Sequence, residues 1–326
     1  MVSTCAPLWR TIQKSNITDI EELASFLELS SEQKLELVDR PNFPLNLPRR
    51  LAAKMQKKTL DDPLLKQFVG LKKELEITEG FCLSPTQDES FCKTSKLLQK
   101  YNGRALIITT SACAMHCRFC FRQNYPYELS KKVFSEELAL IEQDSSLSEI
   151  ILSGGDPLSL SDRALNDLID SIEKIPHIKI VRFHTRFPIG IPERISEDFL
   201  KIFQHRKVQF IFVVHTNHPL ELDPEVVSHL KLLQSLGIPL LNHTVLLKGV
   251  NDSLETMVEL CQQLIYAGII PYYLNQLDKV QGSAHFEVPF AQGKMLIEKM
   301  RTLLPGYAVP RYIQEIPGKS HKTLLV

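Results

Sequence analysis

Two different patterns of apolar positions divide the chain near residue 95. Before that point, segments such as ITDIEELASFLEL and LPRRLAAKMQKKT repeat apolar residues every three to four positions, and DDPLLKQFVGLKKELE continues in that style. This spacing puts the apolar side chains on one face of a helix, so it predicts short amphipathic helices. We therefore expect a helical N-terminal region over residues 1–95 and a second region over residues 96–326.

From residue 104 the pattern changes to short apolar runs that alternate with helical segments. Runs rich in β-branched and aromatic residues predict six strands: RALIITT, EIILSGG, IKIVRFHTR, VQFIFVVHT, IPLLNHTVLL and IIPYYLNQLD. Helical spacing appears in segments between them: SDRALNDLIDSIEKI, DPEVVSHLKLLQSLG and SLETMVELCQQLIYAG. This alternation predicts right-handed βαβ units around a parallel sheet. A helix near residues 290–303 and a last extended stretch, VPRYIQEIP, complete the chain.

Six βα units are fewer than the eight that close a full barrel. The expected fold class is therefore α/β, a partial (β/α)6 barrel preceded by the helical region. In barrels of parallel strands, catalytic residues lie at the carboxyl ends of the strands. Polar residues follow several of the predicted strands, so we expect the functional site at that face.

Charge and composition exclude some classes of protein. The chain has 38 lysine and arginine residues and 38 aspartate and glutamate residues, so its formal net charge is zero. Proteins that bind nucleic acid mainly through phosphates usually carry excess positive charge, so we expect no nucleic-acid partner. No apolar run has the length of a membrane span, and the N-terminal segment MVSTCAPLWRTIQKSN has no signal-like apolar core. The expected location is the cytoplasm, with reduced thiols and no membrane partner.

The segment CAMHCRFC follows the first predicted strand and contains Cys113, Cys117 and Cys120. Thiolates are soft ligands that select iron–sulfur clusters or zinc. A [4Fe–4S] cluster usually takes four cysteines, so three would leave one iron open for a ligand that is not protein. The spacing favours such a cluster over the alternative that stays open, a zinc site completed by His116, because His116 lies between two of the cysteines. The other cysteines are scattered and are expected to be free thiols: Cys5, Cys82, Cys92 and Cys261.

The C-x3-C-x2-C spacing after the first strand of a partial barrel resembles the radical S-adenosylmethionine superfamily. A second feature of that superfamily is a glycine-rich turn after the second strand, and LSGGDPL here contains Gly154, Gly155 and Asp156. The resemblance implies that the three cysteines hold a [4Fe–4S] cluster and that S-adenosylmethionine binds its open iron, with the glycine turn on the methionyl amino group. It also implies an external electron donor, because reduction of the cluster generates the radical that abstracts hydrogen from the substrate.

The end of the chain narrows the resemblance to one family, the lysine 2,3-aminomutases. The segment PGKSHKT is similar to the Pro-Gly-rich turn and Lys-Thr pair that end the barrel in this family. The resemblance implies that Lys322 binds pyridoxal phosphate covalently. The segment KYNGRALI is similar to the family's Arg-Tyr-x-x-Arg, which implies a phosphate site made by Lys100, Tyr101 and Arg104.

Charged residues after other predicted strands match family positions that bind the substrate. The resemblance implies that Arg122, in CFRQ, binds the substrate carboxylate, and that Asp278 and Glu315 hold the ε-ammonium group of lysine. A pair of carboxylates at one barrel mouth favours a cationic side chain as substrate, because a buried ammonium group needs opposite charge. An acidic substrate such as glutamate would be repelled.

Histidines also follow predicted strands. VVHTNHP contains His215 and His218, and LLNHTVLLKGVND contains His243. Both segments resemble family segments that line the cofactor pocket, which implies that His215 and His243 lie beside S-adenosylmethionine. The alternative, that these histidines are hydrogen-bonded structural residues, stays open.

Together, the resemblance implies a pyridoxal-phosphate-dependent isomerase that converts L-α-lysine to (R)-β-lysine. The segments DDPLLKQF, CAMHCRFCFRQNYPY and PYYLNQLDKVQGSAHF resemble the branch that supplies β-lysine for elongation factor P, with a lysyl-tRNA-synthetase-like ligase as downstream partner. The sequence ends at Val326, whereas the catabolic branch carries a C-terminal extension, which favours the same assignment. Two alternatives are a radical aminomutase for another amino acid, ornithine or glutamate, and a non-catalytic zinc-binding module.

Overall fold

A computed structural model describes residues 6–39, 41, 43–127 and 133–326, so Cys5 lies outside the described residues. The part of the chain before residue 95 is helical: α1 (Leu8–Lys14), α2 (Ile20–Phe26), α3 (Ser31–Leu35), α4 (Arg49–Lys54) and α5 (Pro63–Phe68). Side chains of Asp19, Ser30 and Asp62 accept hydrogen bonds from backbone N–H groups in the first turns of α2, α3 and α5. These caps explain why the helices begin there.

A single sheet follows, and its strands pair in chain order: β1 (Leu97–Tyr101), β2 (Arg104–Thr110), β3 (Glu149–Gly154), β4 (Ile180–Thr185), β5 (Gln209–His215), β6 (Leu240–Val245), β7 (Ile270–Asn275), β8 (Arg311–Gln314) and β9 (Thr323–Leu324). Strands β2 to β8 are parallel to one another, whereas β1 pairs antiparallel with β2 and β9 pairs antiparallel with β8 at the two edges. Helices cover the sheet: α6 (Ser135–Gln143), α7 (Asp162–Glu173), α8 (Phe187–Gly190), α9 (Glu197–Lys201), α10 (Pro224–Gln234), α11 (Leu254–Tyr266) and α12 (Phe290–Leu303).

The α/β partial barrel expected from the sequence is confirmed. The six predicted strands are β2 to β7, and the last extended stretch contains β8, which adds a seventh parallel strand. The pattern did not mark β8 as another unit, because only Tyr312 and Ile313 of its four residues are buried. Among the helices in the described ranges, none is long and apolar enough to cross a membrane.

The N-terminal helices and the barrel share one apolar core. Trp9 of α1, Phe68 of α5 and the strand residue Phe183 belong to the same buried cluster, and the Trp9 ring packs edge-on against Phe187, with 5.4 Å between centroids. The boundary near residue 95 therefore separates two kinds of secondary structure that are packed together. The carboxyl ends of β2 to β8 meet at one edge of the sheet, where loops supply the functional side chains.

Candidate active site

A cavity of about 700 Å³ opens at the carboxyl ends of the parallel strands. Every site residue predicted from the sequence lines it: Lys100, Tyr101, Arg104, Cys113, Cys117, Cys120, Arg122, Gly154, Gly155, Asp156, His215, His243, Asp278, Glu315 and Lys322. These residues are spread over more than two hundred positions of the chain, so the barrel brings them together. The cavity has the size of a cofactor or substrate site.

The loop after β2 carries the three cysteines, and the helical region holds this loop in place. Asn16 donates a hydrogen bond to the carbonyl oxygen of Ala114 at 2.7 Å. Asn46 and Gln13 both donate to the carbonyl oxygen of Cys113, at 3.2 and 3.3 Å. The loop therefore takes its shape from residues that lie far away in the sequence, whose side chains satisfy the backbone carbonyl groups of Cys113 and Ala114.

Arg118, within the cysteine segment, anchors the same loop. Its backbone N–H donates to the carbonyl oxygen of Gln67 at 2.8 Å, and its buried guanidinium group forms a salt bridge with Glu74. Nη1 of Arg118 also donates to the carbonyl oxygen of Phe43 at 2.5 Å. A planar guanidinium group that satisfies several acceptors at once is well suited to fixing a loop.

The three thiol groups line one cavity. Burial raises the pKa of Cys113 and raises that of Cys120 to about 11, so ionisation of these thiols requires a compensating positive ion. In the described ranges, no three histidine, cysteine, aspartate or glutamate side chains converge as ligands for one metal ion. A zinc site needs that convergence, whereas each cysteine of a [4Fe–4S] cluster binds a different iron.

His116 does not complete a metal site with the cysteines. Its Nδ1 lies 2.8 Å from the carbonyl oxygen of Pro44, and its ring stacks on Phe43, with 4.4 Å between centroids. The ring is thus used to hold the cysteine loop against the helical region. This arrangement disfavours the zinc alternative.

The glycine turn after β3 presses directly on the cysteine loop. Gly154 has φ +117°, and a Cβ atom there would lie 2.6 Å from the carbonyl oxygen of Thr110. A Cβ atom on Gly155 would lie 2.5 Å from the carbonyl oxygen of Ala112. Both contacts are too short for any side chain, so the two glycines let two backbone segments of the site approach each other.

Replacing Gly155 by alanine is expected to destabilise the protein by about 1–3 kcal/mol, because the backbone must shift to relieve an overpacked contact. Thermal unfolding of the purified protein measures this change. Gly306→Ala is the matched control, since its added Cβ meets nothing within 4 Å, and its effect should stay within about 0.5 kcal/mol. Equal melting temperatures of the two variants would contradict the close approach.

Asp156 follows the glycines and is buried. Its carboxylate accepts hydrogen bonds from Thr185 Oγ1 at 2.8 and 2.9 Å, and from the backbone N–H groups of Arg186 and Phe187 at 2.8 and 2.9 Å. Burial raises the pKa of this carboxyl to about 6, against the effect of these hydrogen bonds. Asp156 therefore ties the turn after β3 to the turn after β4.

Arg122 is held by an acidic residue that the sequence analysis missed. Its Nη2 and Nε lie 2.8 and 2.9 Å from Oδ2 of Asp88, and Nη1 donates to Ser153 Oγ at 3.3 Å. Burial alone would raise the pKa of Asp88, but Arg122 and Lys100 together lower it to about 2. No periodicity marks the stretch around Asp88, so only the fold reveals this partner.

Lys100 and Tyr101 of β1 meet Glu315 across the cavity. Nζ of Lys100 lies 2.7 Å from Asp88 and 3.5 Å from Glu315. The hydroxyl group of Tyr101 donates to the Glu315 carboxylate, at 2.7 and 2.8 Å from its two oxygens. The Arg104 guanidinium group lies over the Tyr101 ring, 4.8 Å from its centroid. Acidic and basic groups thus alternate along this wall.

Lys322 enters the cavity from the chain end. Its Nζ donates to Asn275 Oδ1 at 3.4 Å, lies 4.0 Å from Glu315 Oε2 and lies 5.5 Å from the centroid of the Tyr273 ring. Burial lowers the pKa of this amine, against the opposing effect of the Glu315 and Asp278 carboxylates. Burial raises the pKa of the Asp278 carboxyl to about 7.

The histidines divide into two groups. His218 Nδ1 accepts a hydrogen bond from the backbone N–H of Leu220 at 3.2 Å and is absent from the cavity lining, so it has a structural task. The Nε2 atoms of His215 and His243 are buried in the cavity without a hydrogen-bond partner among the described residues. Burial lowers the pKa of His215 to about 3, so the ring is neutral at physiological pH.

Two more polar residues of the cavity were missed by the sequence analysis. Arg182 and His184 lie on β4 and both line the cavity. Arg182 Nε lies 2.8 Å from Glu149, and burial lowers the pKa of His184. They stand two residues apart in IVRFHT, so the period of a strand puts them on one face. That alternation was the available signal.

The sequence of this chain is similar to one superfamily and, over nearly its whole length, to several known proteins. Residues 107–261 match the model of the radical SAM superfamily. The chain is 39% identical to an L-lysine 2,3-aminomutase of Escherichia coli (strain K12) over 323 residues, which cover 97% of this chain and 94% of that protein. An L-lysine 2,3-aminomutase of Haemophilus influenzae is 36% identical over 320 residues, with 97% and 95% covered. One of Buchnera aphidicola is 35% identical over 319 residues, with 96% and 94% covered.

Proposed function

Because this chain belongs to the lysine 2,3-aminomutase family of radical S-adenosylmethionine enzymes, we propose that it converts L-α-lysine to (R)-β-lysine with pyridoxal phosphate as a further cofactor. As a member of this family, the protein is an isomerase that uses a [4Fe–4S] cluster and S-adenosylmethionine. One observation carries the proposal: Lys322 and the acidic pair Asp278 and Glu315 line the same cavity as the three cysteines.

We assign the cluster to Cys113, Cys117 and Cys120. S-adenosylmethionine is assigned to the adjoining wall, which holds Gly154, Gly155, Asp156, His215 and His243. The close approach of the glycine turn to the cysteine loop supports this assignment, since it places the turn beside the three cysteines in the lining of one cavity. Among the described residues, Nε2 of His215 and Nε2 of His243 have no hydrogen-bond partner, so each can bond to a ligand in the cavity.

We assign pyridoxal phosphate to Lys322, with its phosphate on Lys100, Tyr101 and Arg104. Covalent attachment through an amine needs the neutral form, and burial favours that form of Lys322. Lys100 and Arg104 supply the positive charge that a phosphate group requires. When bound, the cluster and S-adenosylmethionine supply a radical that abstracts hydrogen, and pyridoxal phosphate supplies a ring that delocalises the radical while nitrogen migrates.

The substrate is held at both ends by opposite charges. Arg122 binds the α-carboxylate, and Asp88 keeps its guanidinium group in the cavity. Asp278 and Glu315 receive the ε-ammonium group, since a buried ammonium group needs opposite charge. Fixed ends hold the carbon chain in one orientation, so the same hydrogen atom is presented in every turnover.

The test is a product assay with isotopically labelled L-lysine. Anaerobic protein with a full cluster, S-adenosylmethionine, pyridoxal phosphate and dithionite should form labelled β-lysine, and chiral chromatography should identify the (R) isomer. Parallel reactions with L-ornithine and L-glutamate test the alternative substrates. The absence of β-lysine from protein whose iron and sulfide content is complete would overturn the proposal.

A pH profile tests the role of Asp278. With its pKa raised to about 7, this carboxyl is protonated below that pH and cannot hold an ammonium group. We expect kcat/KM for L-lysine to fall about tenfold for each pH unit below the pKa. The fall in kcat should begin at a lower pH than the fall in kcat/KM, because bound lysine stabilises the carboxylate. Asp278→Asn should lose most activity on lysine and lose this acidic limb. An unchanged limb in that variant would assign it to another group.

The pathway assignment rests on the motifs quoted from the sequence. We propose that β-lysine from this enzyme is attached to elongation factor P by a lysyl-tRNA-synthetase-like ligase in the cytoplasm, and that an external donor reduces the cluster. Combining the enzyme, such a ligase, elongation factor P and labelled L-lysine should add one labelled β-lysyl group to elongation factor P. If elongation factor P receives only a labelled α-lysyl group and no β-lysyl group, the result counts against this role.

A further inference from the structure

Arg186, immediately after β4, makes a direct contact with one of the cysteines. Its Nη1 donates a hydrogen bond to Cys117 Sγ at 2.9 Å. Arg186 is 6% exposed, so water does not compete for this bond. The residue was not singled out by any sequence motif, because it becomes adjacent to the cysteine loop only through the fold.

The rest of the guanidinium group is fixed by a buried network. Nη2 donates to Gln67 Oε1 and to Glu221 Oε2, each at 2.7 Å. The group also lies between two aromatic rings, 4.7 Å from the centroid of Phe68 and 5.5 Å from that of Phe119. The position of Nη1 is therefore set by contacts on the opposite side of the group.

Glu221 is held just as firmly. It is 0% exposed, and its other oxygen, Oε1, accepts from the backbone N–H groups of Asn217 and His218, both at 3.0 Å. The ion pair uses Nη2 of Arg186, which leaves Nη1 directed at the sulfur of Cys117. A purely structural ion pair would not need this second direction.

The contact matters for the charge of the cluster. One-electron reduction by an external donor adds one negative charge to a cluster that three thiolates already make anionic, and no proton is needed for the balance. A cation that donates a hydrogen bond to a ligand sulfur stabilises the reduced form more than the oxidised form. Hydrogen bonds to sulfur are one of the means by which proteins set cluster potentials.

We propose that Arg186 is a positioning residue that raises the reduction potential of the cluster through its hydrogen bond to Cys117 Sγ. The network of Glu221 and Gln67 holds the guanidinium group in the direction that this bond needs. Gln67 belongs to α5, so the helical N-terminal region takes part in setting the potential. This inference rests on the cluster alone and needs neither lysine nor pyridoxal phosphate.

The experiment is a redox titration of the reconstituted protein, followed by electron paramagnetic resonance of the reduced cluster. Arg186→Gln is expected to lower the ratio of reduced to oxidised cluster at a given solution potential about tenfold, which equals a shift of about 59 mV to more negative potential for a one-electron couple. Arg186→Lys keeps the positive charge but loses the planar guanidinium group, so it should shift the potential less than Arg186→Gln.

Because Arg186→Gln leaves Glu221 buried without its cation, that variant can fail to fold. The double variant Arg186→Gln/Glu221→Gln removes both charges and keeps the shapes. It should also shift the potential to a more negative value, but by less than the single variant, because a carboxylate that opposes reduction is lost together with the cation. Arg182→Gln is the matched control: it removes a charge from the same cavity, and Arg182 pairs with Glu149. The control should move the potential much less.

Two results would overturn the proposal. One is an unchanged potential in a single or double variant that carries the full content of iron and sulfide. The other is failure of every Arg186 variant to hold a cluster, which would make the residue purely structural. Since the titration contains no substrate, either result leaves the proposed lysine chemistry standing.

Discussion

Lys322→Ala should abolish conversion of L-lysine to β-lysine, with a loss of about 10³-fold or more, the range of a residue that both exchanges protons and forms bonds. The amine lies 4.0 Å from Glu315 and 3.4 Å from Asn275, and burial favours its neutral form. No other lysine combines this lowered pKa with a place in the cavity lining, within the part of the chain that the structure describes. Lys100, the other cavity lysine, is paired with Asp88.

The readout for Lys322 includes attachment as well as turnover. Wild-type protein incubated with pyridoxal phosphate and reduced with borohydride should carry a pyridoxyl label on the peptide that contains Lys322. Lys319→Ala is the matched control, because Lys319 is exposed in the same terminal segment and is absent from the cavity lining. It should keep label and activity. A Lys322→Ala variant with normal β-lysine production would remove the residue from the mechanism.

Loss of one cysteine is expected to be equally severe. Cys120→Ser should lower the iron and sulfide content strongly and reduce the cleavage of S-adenosylmethionine to 5′-deoxyadenosine more than about 100-fold, since serine is a poor ligand for iron in such clusters. Under the proposed assignment three thiolates bind the cluster, and among the described residues no other cysteine lines the cavity: Cys82 and Cys92 are exposed, and Cys261 is buried in the apolar core.

Iron and sulfide analysis, absorption spectroscopy and an assay for 5′-deoxyadenosine measure this effect. Cys82→Ser is the control and should match the wild type in all three. If Cys120→Ser cleaves S-adenosylmethionine at the normal rate with excess reductant, the cluster does not need this thiol. The assay works without lysine, so it separates radical generation from the substrate chemistry.

The helical N-terminal region belongs to the active site in a physical sense. Asn16 and Asn46 bind carbonyl groups of the cysteine loop, and Gln67 contacts both Arg118 and Arg186. The cysteine loop would otherwise sample many conformations, and ordering it costs roughly 1–2 kcal/mol per residue. Contacts with the helical region offset part of that cost.

Strand and helix positions were largely available from the sequence. Runs of β-branched residues and helical spacing identified β2 to β7, α7, α10, α11 and α12, because each has a long enough apolar pattern to reveal its period. The sequence did not identify strand β8 as a unit of the barrel, because RYIQ is too short to show a period. Of the short strand β1, only Lys100 and Tyr101 were identified, as phosphate-binding residues, because three of the five residues of LLQKY are polar.

Local sequence patterns indicate the radical chemistry, because the cysteine spacing and the glycine turn can be recognised where they follow the first two predicted strands. How these groups are held depends on tertiary contacts. Asp88 on Arg122, Arg186 on Cys117 and the asparagine side chains on the cysteine loop are contacts between distant segments. Such contacts leave no periodic trace along the chain, since each depends on two surfaces that meet only when the barrel and its helices pack.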